Sequence, residues 1–200
     1  MKILVNDHSG HAFPLELSQQ LSKKHEVVHC YAQYFETPKA NFKKNPKDPK
    51  LKIIPKKIKK NFKKDNFFMR RSVEILYGKK IVNIIKIQKP DIVICSTTPL
   101  DSLVRIIRYC KINQIKSIFW MQDIYSEAIS RILNKKIPII GRLIGRYYHY
   151  IEKKCENSCD KIVVISPAFK KFISKNNLNK TSVVENWSPV TKPKLKKILF

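Results

Sequence analysis

The chain of 200 residues, 43% hydrophobic and 10% aromatic, holds enough apolar material for one packed domain, which excludes a largely disordered protein. Against 15 Asp and Glu stand 41 Lys and Arg, and the resulting charge of +26 favours polyanionic partners: nucleic acid, an anionic membrane surface or phosphorylated substrates. Lys, Asn and Ile are all abundant, however, and the compositional bias of an AT-rich coding sequence raises the charge without any partner.

Residues 2–6 read as a short buried strand that begins at the N-terminus and meets the polar loop Asp7, His8, Ser9, Gly10, His11. An amphipathic helix follows over 14–24, with Leu15, Leu17 and Leu21 toward the core and Pro14 in the first turn, where its missing N–H is not required. Residues 26–32 supply a second strand, completing a βαβ unit. His29 lies inside that strand and reads as a packed side chain.

The pattern then breaks into Pro, Asn and Lys, and residues 36–66 form a basic insertion. Between Lys39 and Arg71 stand fourteen Lys or Arg and two Asp, a net of +12. Leu51 to Ile54 is a candidate third strand. Ile58 and Phe62 among Lys56, Lys57, Lys59, Lys60, Lys63 and Lys64 suggest a basic amphipathic turn that faces an anionic membrane; a solvated insertion is the other reading.

Beyond it, residues 67–89 have helical period, Pro90 stops them, and 91–95 form a continuous apolar strand that ends at Ser96, Thr97 and Thr98. A helix over 100–113 leads to the strand 117–121, which stops at Gln122 and Asp123. A helical region broken near Pro138 runs to about 157. Residues 161–165 are the next strand, Ser166 caps a helix over 167–175, and 181–185 form the last strand before Asn186 and Trp187.

Alternating strands and helices predict an α/β fold: a Rossmann-like, doubly wound, mostly parallel sheet with helices on both faces, spanning 1–187, with a basic tail over 188–200. Parallel strands place all their carboxyl ends on one edge, so His8 to His11, Ser96 to Thr98, Gln122 to Glu127, Ser166, Asn186 and Trp187 converge there. No GxGxxG follows the first strand and no Gly-Lys-Ser/Thr phosphate loop occurs, which disfavours a dinucleotide oxidoreductase and a P-loop enzyme.

The five cysteines, Cys30, Cys95, Cys110, Cys155 and Cys159, are odd in number and scattered, as befits buried thiols in a reducing compartment. Cys155 and Cys159 share a helix face, but no matching Cys or His pair completes a zinc site, so no metal is expected. The apolar start is too short for a signal peptide, and no run reaches the roughly 18 apolar residues that span a bilayer. The expected location is the cytoplasm, either free or peripheral on the inner face of the plasma membrane.

The order and spacing of several segments resemble the N-terminal domain of a family 4 glycosyltransferase of the GT-B class, the type that builds capsule, O-antigen or exopolysaccharide units. They are Asp7-His8-Ser9-Gly10-His11, His25-Glu26-Val27-Val28-His29, Met121-Gln122-Asp123-Ile124-Tyr125-Ser126-Glu127, Val164-Ile165-Ser166-Pro167 and Val184-Glu185-Asn186-Trp187. Lys24 stands where the family has Gly, Ser126 where it has Pro, and the first loop has one glycine where many relatives have two.

The resemblance implies an acceptor-binding domain for a lipid-linked or saccharide acceptor. His8, Ser9, Gly10, His11, Thr97, Thr98, Gln122 and Glu127 would line the acceptor site, Ser166, Asn186 and Trp187 would face the interdomain cleft, and Asp123 would orient the acceptor hydroxyl or act as base. Asp123 has a second reading, as N-cap of the following helix with Glu127 as the first-turn acid. Thr97 and Thr98 likewise fit a cap.

No cofactor is implied. The nucleotide-sugar donor would be a substrate of a second domain, which nothing after Trp187 supplies. The expectation is therefore an incomplete enzyme, either a remnant or one chain of two, with a separate donor-domain chain as partner. The competing class is a basic nucleic-acid-binding protein, but no recognised nucleic-acid motif is present and specific nucleic acid is not expected.

Overall fold

The computed structural model describes residues 1–34, 40, 48–58 and 67–187. Seven strands form one sheet: β1 (Lys2–Asp7), β2 (Glu26–Ala32), β3 (Leu51–Lys56), β4 (Ile92–Ser96), β5 (Lys116–Met121), β6 (Lys161–Val164) and β7 (Thr181–Val183). Their order is β3-β2-β1-β4-β5-β6-β7, and every neighbouring pair is parallel. The chain winds outward from β1 to β3, then crosses back to place β4 on the other side of β1. The switch point therefore lies between β1 and β4.

The helices are α1 (Ala12–Ser22), α2 (Phe67–Gln88), α3 (Leu100–Ile112), α4 (Tyr125–Lys136) and α5 (Pro138–Ser158). They cover both faces because each strand alternates its side chains. Leu4, Val28, Val93 and Phe119 point to the main core with Tyr77 and Ile81 of α2, Leu103 and Ile107 of α3, and Ile151 of α5. Ile3, Val5 and Val27 point the other way, against Leu21 of α1.

Several boundaries differ from the sequence expectation. β1 extends through Asp7, which pairs with Tyr31 on one side and Ser96 on the other. The third strand expected over Leu51 to Ile54 forms and runs to Lys56; its Pro55 is tolerated because β3 is an edge strand. The segment after Ser166 is a 3₁₀ turn, Pro167–Phe172, followed by a second, Lys175–Lys180. Six residues are too few to repay α-helix nucleation, whereas short connectors suit 3₁₀ geometry. β7 ends at Val183, two residues before the expected limit.

Helices α4 and α5 form an antiparallel hairpin across Ile137. A Cβ on Gly145 would stand 2.6 Å from Ser130 Oγ, and one on Gly141 would overlap the Leu133 carbonyl, so both glycines permit the close approach. All five cysteines are buried and free. His29 is fully buried with Nδ1 2.8 Å from Ser18 Oγ, and burial pushes its protonation down to about 3.

Candidate functional site

Asp7, His8, Ser9 and Gly10 follow β1, while Ser96, Thr97 and Thr98 follow β4, so the switch point brings the two loops together. Thr97 Oγ1 donates to Asp7 Oδ1 at 2.5 Å and accepts the Ser9 amide at 3.2 Å. One strand position earlier, Asn6 Nδ2 donates to Thr98 Oγ1 at 2.8 Å, and Tyr77 Oη donates to Asn6 Oδ1 at 2.7 Å. This network is buried, and Asp7 is its only carboxylate.

Burial raises the Asp7 carboxyl to about 6, against the opposing pull of the Thr97 hydroxyl, the His11 charge and the neighbouring Gly10 and His11 amides. Among the described residues its Oδ2 has no hydrogen-bond partner. The loop backbone is also unusual: Gly10 has φ 76° and Thr97 has φ 47°. Glycine takes that conformation without cost, but a β-branched threonine does not.

The expected site residues divide into two groups. His8 is buried, with Nε2 2.8 Å from Tyr34 Oη and its ring edge-on to Tyr77 at 4.9 Å, so it anchors the loop to the turn after β2 and to α2. Thr97 and Thr98 are also buried and hold the two loops. His11 is half-buried, stacked on Phe13 at 5.8 Å, and Asp123 is exposed at the end of β5. Helix α4 opens at Ile124 without a side-chain cap, so the capping role considered for Asp123 is not observed. Glu127 is exposed, pairs with Arg131 at 3.4 Å, and lines a cavity of about 280 Å³ with Arg142, Arg146 and His149.

Gln122 Oε1 accepts Asn186 Nδ2 at 2.7 Å, which ties the segment after β7 to the end of β5. Trp187 stacks on Trp120 at 6.0 Å, meets Phe13 edge-on, and donates Nε1 to Glu16 Oε2 at 2.6 Å. An aromatic cradle of Phe13, Trp120 and Trp187 thus flanks the switch point. Ser166 follows β6 on the same edge and caps the 3₁₀ turn, its Oγ accepting from the Ala168 amide at 3.1 Å. Among the expected membrane-facing lysines, Lys56 is half-buried and Lys57 exposed, while Lys59, Lys60, Lys63 and Lys64 lie outside the described residues, as does the 188–200 tail. Ile58, expected on a basic amphipathic turn, is buried in the main core.

Asp7 enters the sequence reading only as the first residue of the loop segment, with no role of its own, and Asn6, Tyr34, Tyr77, Phe13 and Trp120 carry no site expectation. The signal available for Asp7 was its position at the end of the first buried strand. Among the described residues no group of three or more His, Cys, Asp or Glu is placed to hold a metal ion.

No protein-family model matches the sequence, and no curated protein matches it. Solved structures do match the fold. Arabidopsis thaliana UGT89C1 complexed with UDP-L-rhamnose aligns with 92% of this chain and 51% of its own, at TM-score 0.54 and 14% identity. Anabaena Alr3699/HepE in complex with UDP and glucose aligns with 93% of this chain and 44% of its own, at TM-score 0.51 and 16% identity. For LpCGTa in complex with UDP the values are 97% and 55%, at TM-score 0.52 and 11% identity.

The chain has the fold of one Rossmann-like half of these solved structures. The chain spans about half the length of these solved structures, between 44% and 55%. At such identities the likeness concerns the fold and not the substrate.

Proposed function

We propose that this chain is the acceptor-binding half of a family 4 glycosyltransferase in surface polysaccharide biosynthesis, of the capsule, O-antigen or exopolysaccharide type. Catalysis would need a donor-binding half, in the same polypeptide or in a separate chain. The observation that carries the reading is the convergence of the Asp7 to His11 loop, the Ser96 to Thr98 loop and the exposed Asp123 on the carboxyl edge at the switch point of a GT-B-type fold. The motif order noted in the sequence supports it.

In this reading the buried network of Asn6, Asp7, Thr97 and Thr98 does not touch the acceptor. It holds the two loops in register so that Gly10 and His11 border the cleft. The acceptor sugar would rest on the aromatic cradle, whose faces attract C–H groups, with the Gln122 and Asn186 carboxamides beside it. Asp123 would accept the proton of the acceptor hydroxyl as its oxygen attacks the anomeric carbon; the nucleoside diphosphate leaves with the electrons of the broken bond.

The two tryptophans of the chain, Trp120 and Trp187, both belong to this edge, so intrinsic fluorescence reports on it directly. Titration with saccharide acceptors is expected to give a saturable change in tryptophan emission, lost or reversed in Trp187→Phe. A flat titration with every saccharide and lipid-linked acceptor tried would count against the proposal.

A further inference from the structure

Three buried side chains at the carboxyl edge hold polar atoms that the domain leaves unused. Among the described residues Ser96 Oγ, Trp120 Nε1 and Gln122 Nε2 have no hydrogen-bond partner, although the three residues are only 0%, 4% and 8% exposed. Buried polar groups are nearly always satisfied, and a donor left unpaired costs free energy, so such a cluster points to a missing partner. The three atoms belong together. Ser96 pairs with Trp120 across β4 and β5, and paired residues of parallel neighbours project to the same face of the sheet. Gln122 stands two positions beyond Trp120, where alternation returns to that face.

Their chemistry defines what fits. The indole N–H and the Gln122 amide nitrogen only donate, while the Ser96 hydroxyl donates or accepts. Asn186 Nδ2 already occupies Gln122 Oε1 at 2.7 Å, which leaves the nitrogen of that carboxamide for a ligand. The adjoining wall is aromatic: Phe13 meets the Trp120 ring edge-on at 5.5 Å, and Trp187 stacks on it at 6.0 Å. An acetamido group answers each feature, its carbonyl oxygen accepting from Trp120 and Gln122, its N–H donating to Ser96 and its methyl group resting on the rings. A bare hydroxyl brings no methyl group to the wall and only one oxygen with a proton of its own to place. A carboxylate would satisfy both donors, but Asp7 of β1 is the other strand neighbour of Ser96, and a second anion beside that buried acid is repelled.

We infer that Ser96, Trp120 and Gln122 form a specificity subsite for an acetamido group, so that the acceptor saccharide carries an N-acetylated amino sugar. The inference rests on the acceptor-binding reading and adds the class of acceptor to it. Trp187 covers the Trp120 ring and Asn186 holds Gln122, so the acetamido group enters as these two residues lift from the end of β5. Both belong to an exposed segment, 184–187, that follows the short last strand.

The test is titration of the full chain with methyl glycosides of N-acetylglucosamine and N-acetylgalactosamine, of their parent hexoses glucose and galactose, and of glucuronic acid, followed by the indole N–H resonances in NMR. The chain has two tryptophans, and Trp187→Phe assigns the Trp120 signal. At least one acetylated sugar is expected to bind roughly tenfold more tightly than its parent hexose and to move the Trp120 indole N–H downfield as that proton gains an acceptor. Trp120→Phe keeps an aromatic ring and removes the donor; it should bring the ratio of the two affinities close to one, read from the emission of Trp187. Equal affinity for acetylated sugar and parent hexose, a preference for glucuronic acid, or a preference that survives Trp120→Phe overturns the inference and leaves the acceptor-binding reading standing. Absence of binding by every saccharide overturns both.

Discussion

Thr97 Oγ1 lies 2.5 Å from Asp7 Oδ1, so a hydroxyl just after β4 donates to a buried carboxylate at the end of β1. The same threonine has φ 47°, a conformation that costs a β-branched residue on the order of 1–3 kcal/mol. The switch point therefore combines backbone strain with a buried acid, and the hydrogen bond couples them. Thr97→Val keeps the branched shape and removes the donor. It is expected to destabilise the protein by about 1–3 kcal/mol at neutral pH. It should also raise the Asp7 carboxyl further above about 6, because the Thr97 bond lowers it. Denaturant titration and carbon-detected NMR of the Asp7 side chain measure the two effects.

Asp7 also makes stability depend on pH with a defined sign. The folded state holds its proton up to about 6, whereas the ordinary value is 3.8, so between those values the folded state binds the extra proton. The contribution of this group is thus fully present below the ordinary value and lost as pH rises through about 6. A gap of about two units corresponds to roughly 3 kcal/mol. Asp7→Asn retains an acceptor for Thr97 and does not ionise. It should be more stable than wild type by up to roughly 3 kcal/mol near pH 8, the advantage fading toward pH 4. A wild-type curve that lies above the variant near pH 8 would contradict the burial argument.

His29 works in the opposite direction. Burial lowers its folded value to about 3 from 6.5, so only the unfolded chain binds a proton between them, and stability falls as pH drops below 6.5. His29→Gln should flatten that acid limb, even if it is less stable at neutral pH through a poorer contact with Ser18.

The strands were legible where side chains on both faces are buried. β1, β2, β4, β5 and β6 are short apolar runs bounded by turn residues, and their alternation with helices implies a parallel sheet. β3 was ambiguous because Leu51–Lys56 is flanked by lysines and contains Pro55, a pattern that an edge strand tolerates and a central strand does not. The carboxyl edge was legible as a face. Its internal contacts were not, because Asp7 meets Thr97 across ninety positions of sequence, as recorded in their separation, only once strand order puts β4 beside β1. Burial of His8 between Tyr34 and Tyr77 depends on a loop and a helix that no local pattern connects to it. Trp120 looked like one more member of an apolar strand, yet alternation turns it away from Phe119 toward Phe13 and Trp187.

The cradle itself gives a structural prediction. Trp187 loses a hydrogen bond to Glu16 and a stacking contact with Trp120 on change to alanine, but it is 37% exposed. Trp187→Ala should therefore cost only about 1 kcal/mol of stability. The emission of the remaining Trp120 should shift to longer wavelength as solvent reaches it.

At Asp123 the expectation is kinetic. Paired with a donor-binding half that restores transfer, Asp123→Asn should lower kcat by about 10²–10⁴-fold with little change in acceptor binding. A variant that retains wild-type kcat would remove Asp123 from the role of base.

The most direct measurement is comparative titration of the isolated chain, followed by tryptophan emission, with saccharide acceptors on one side and nucleotide sugars on the other. Saturable change with an acceptor, none with a nucleotide sugar, and no sugar transfer when both are present are the expected results. Saturable binding of the nucleotide sugar together with indifference to every acceptor would contradict the assignment of this domain as the acceptor-binding half.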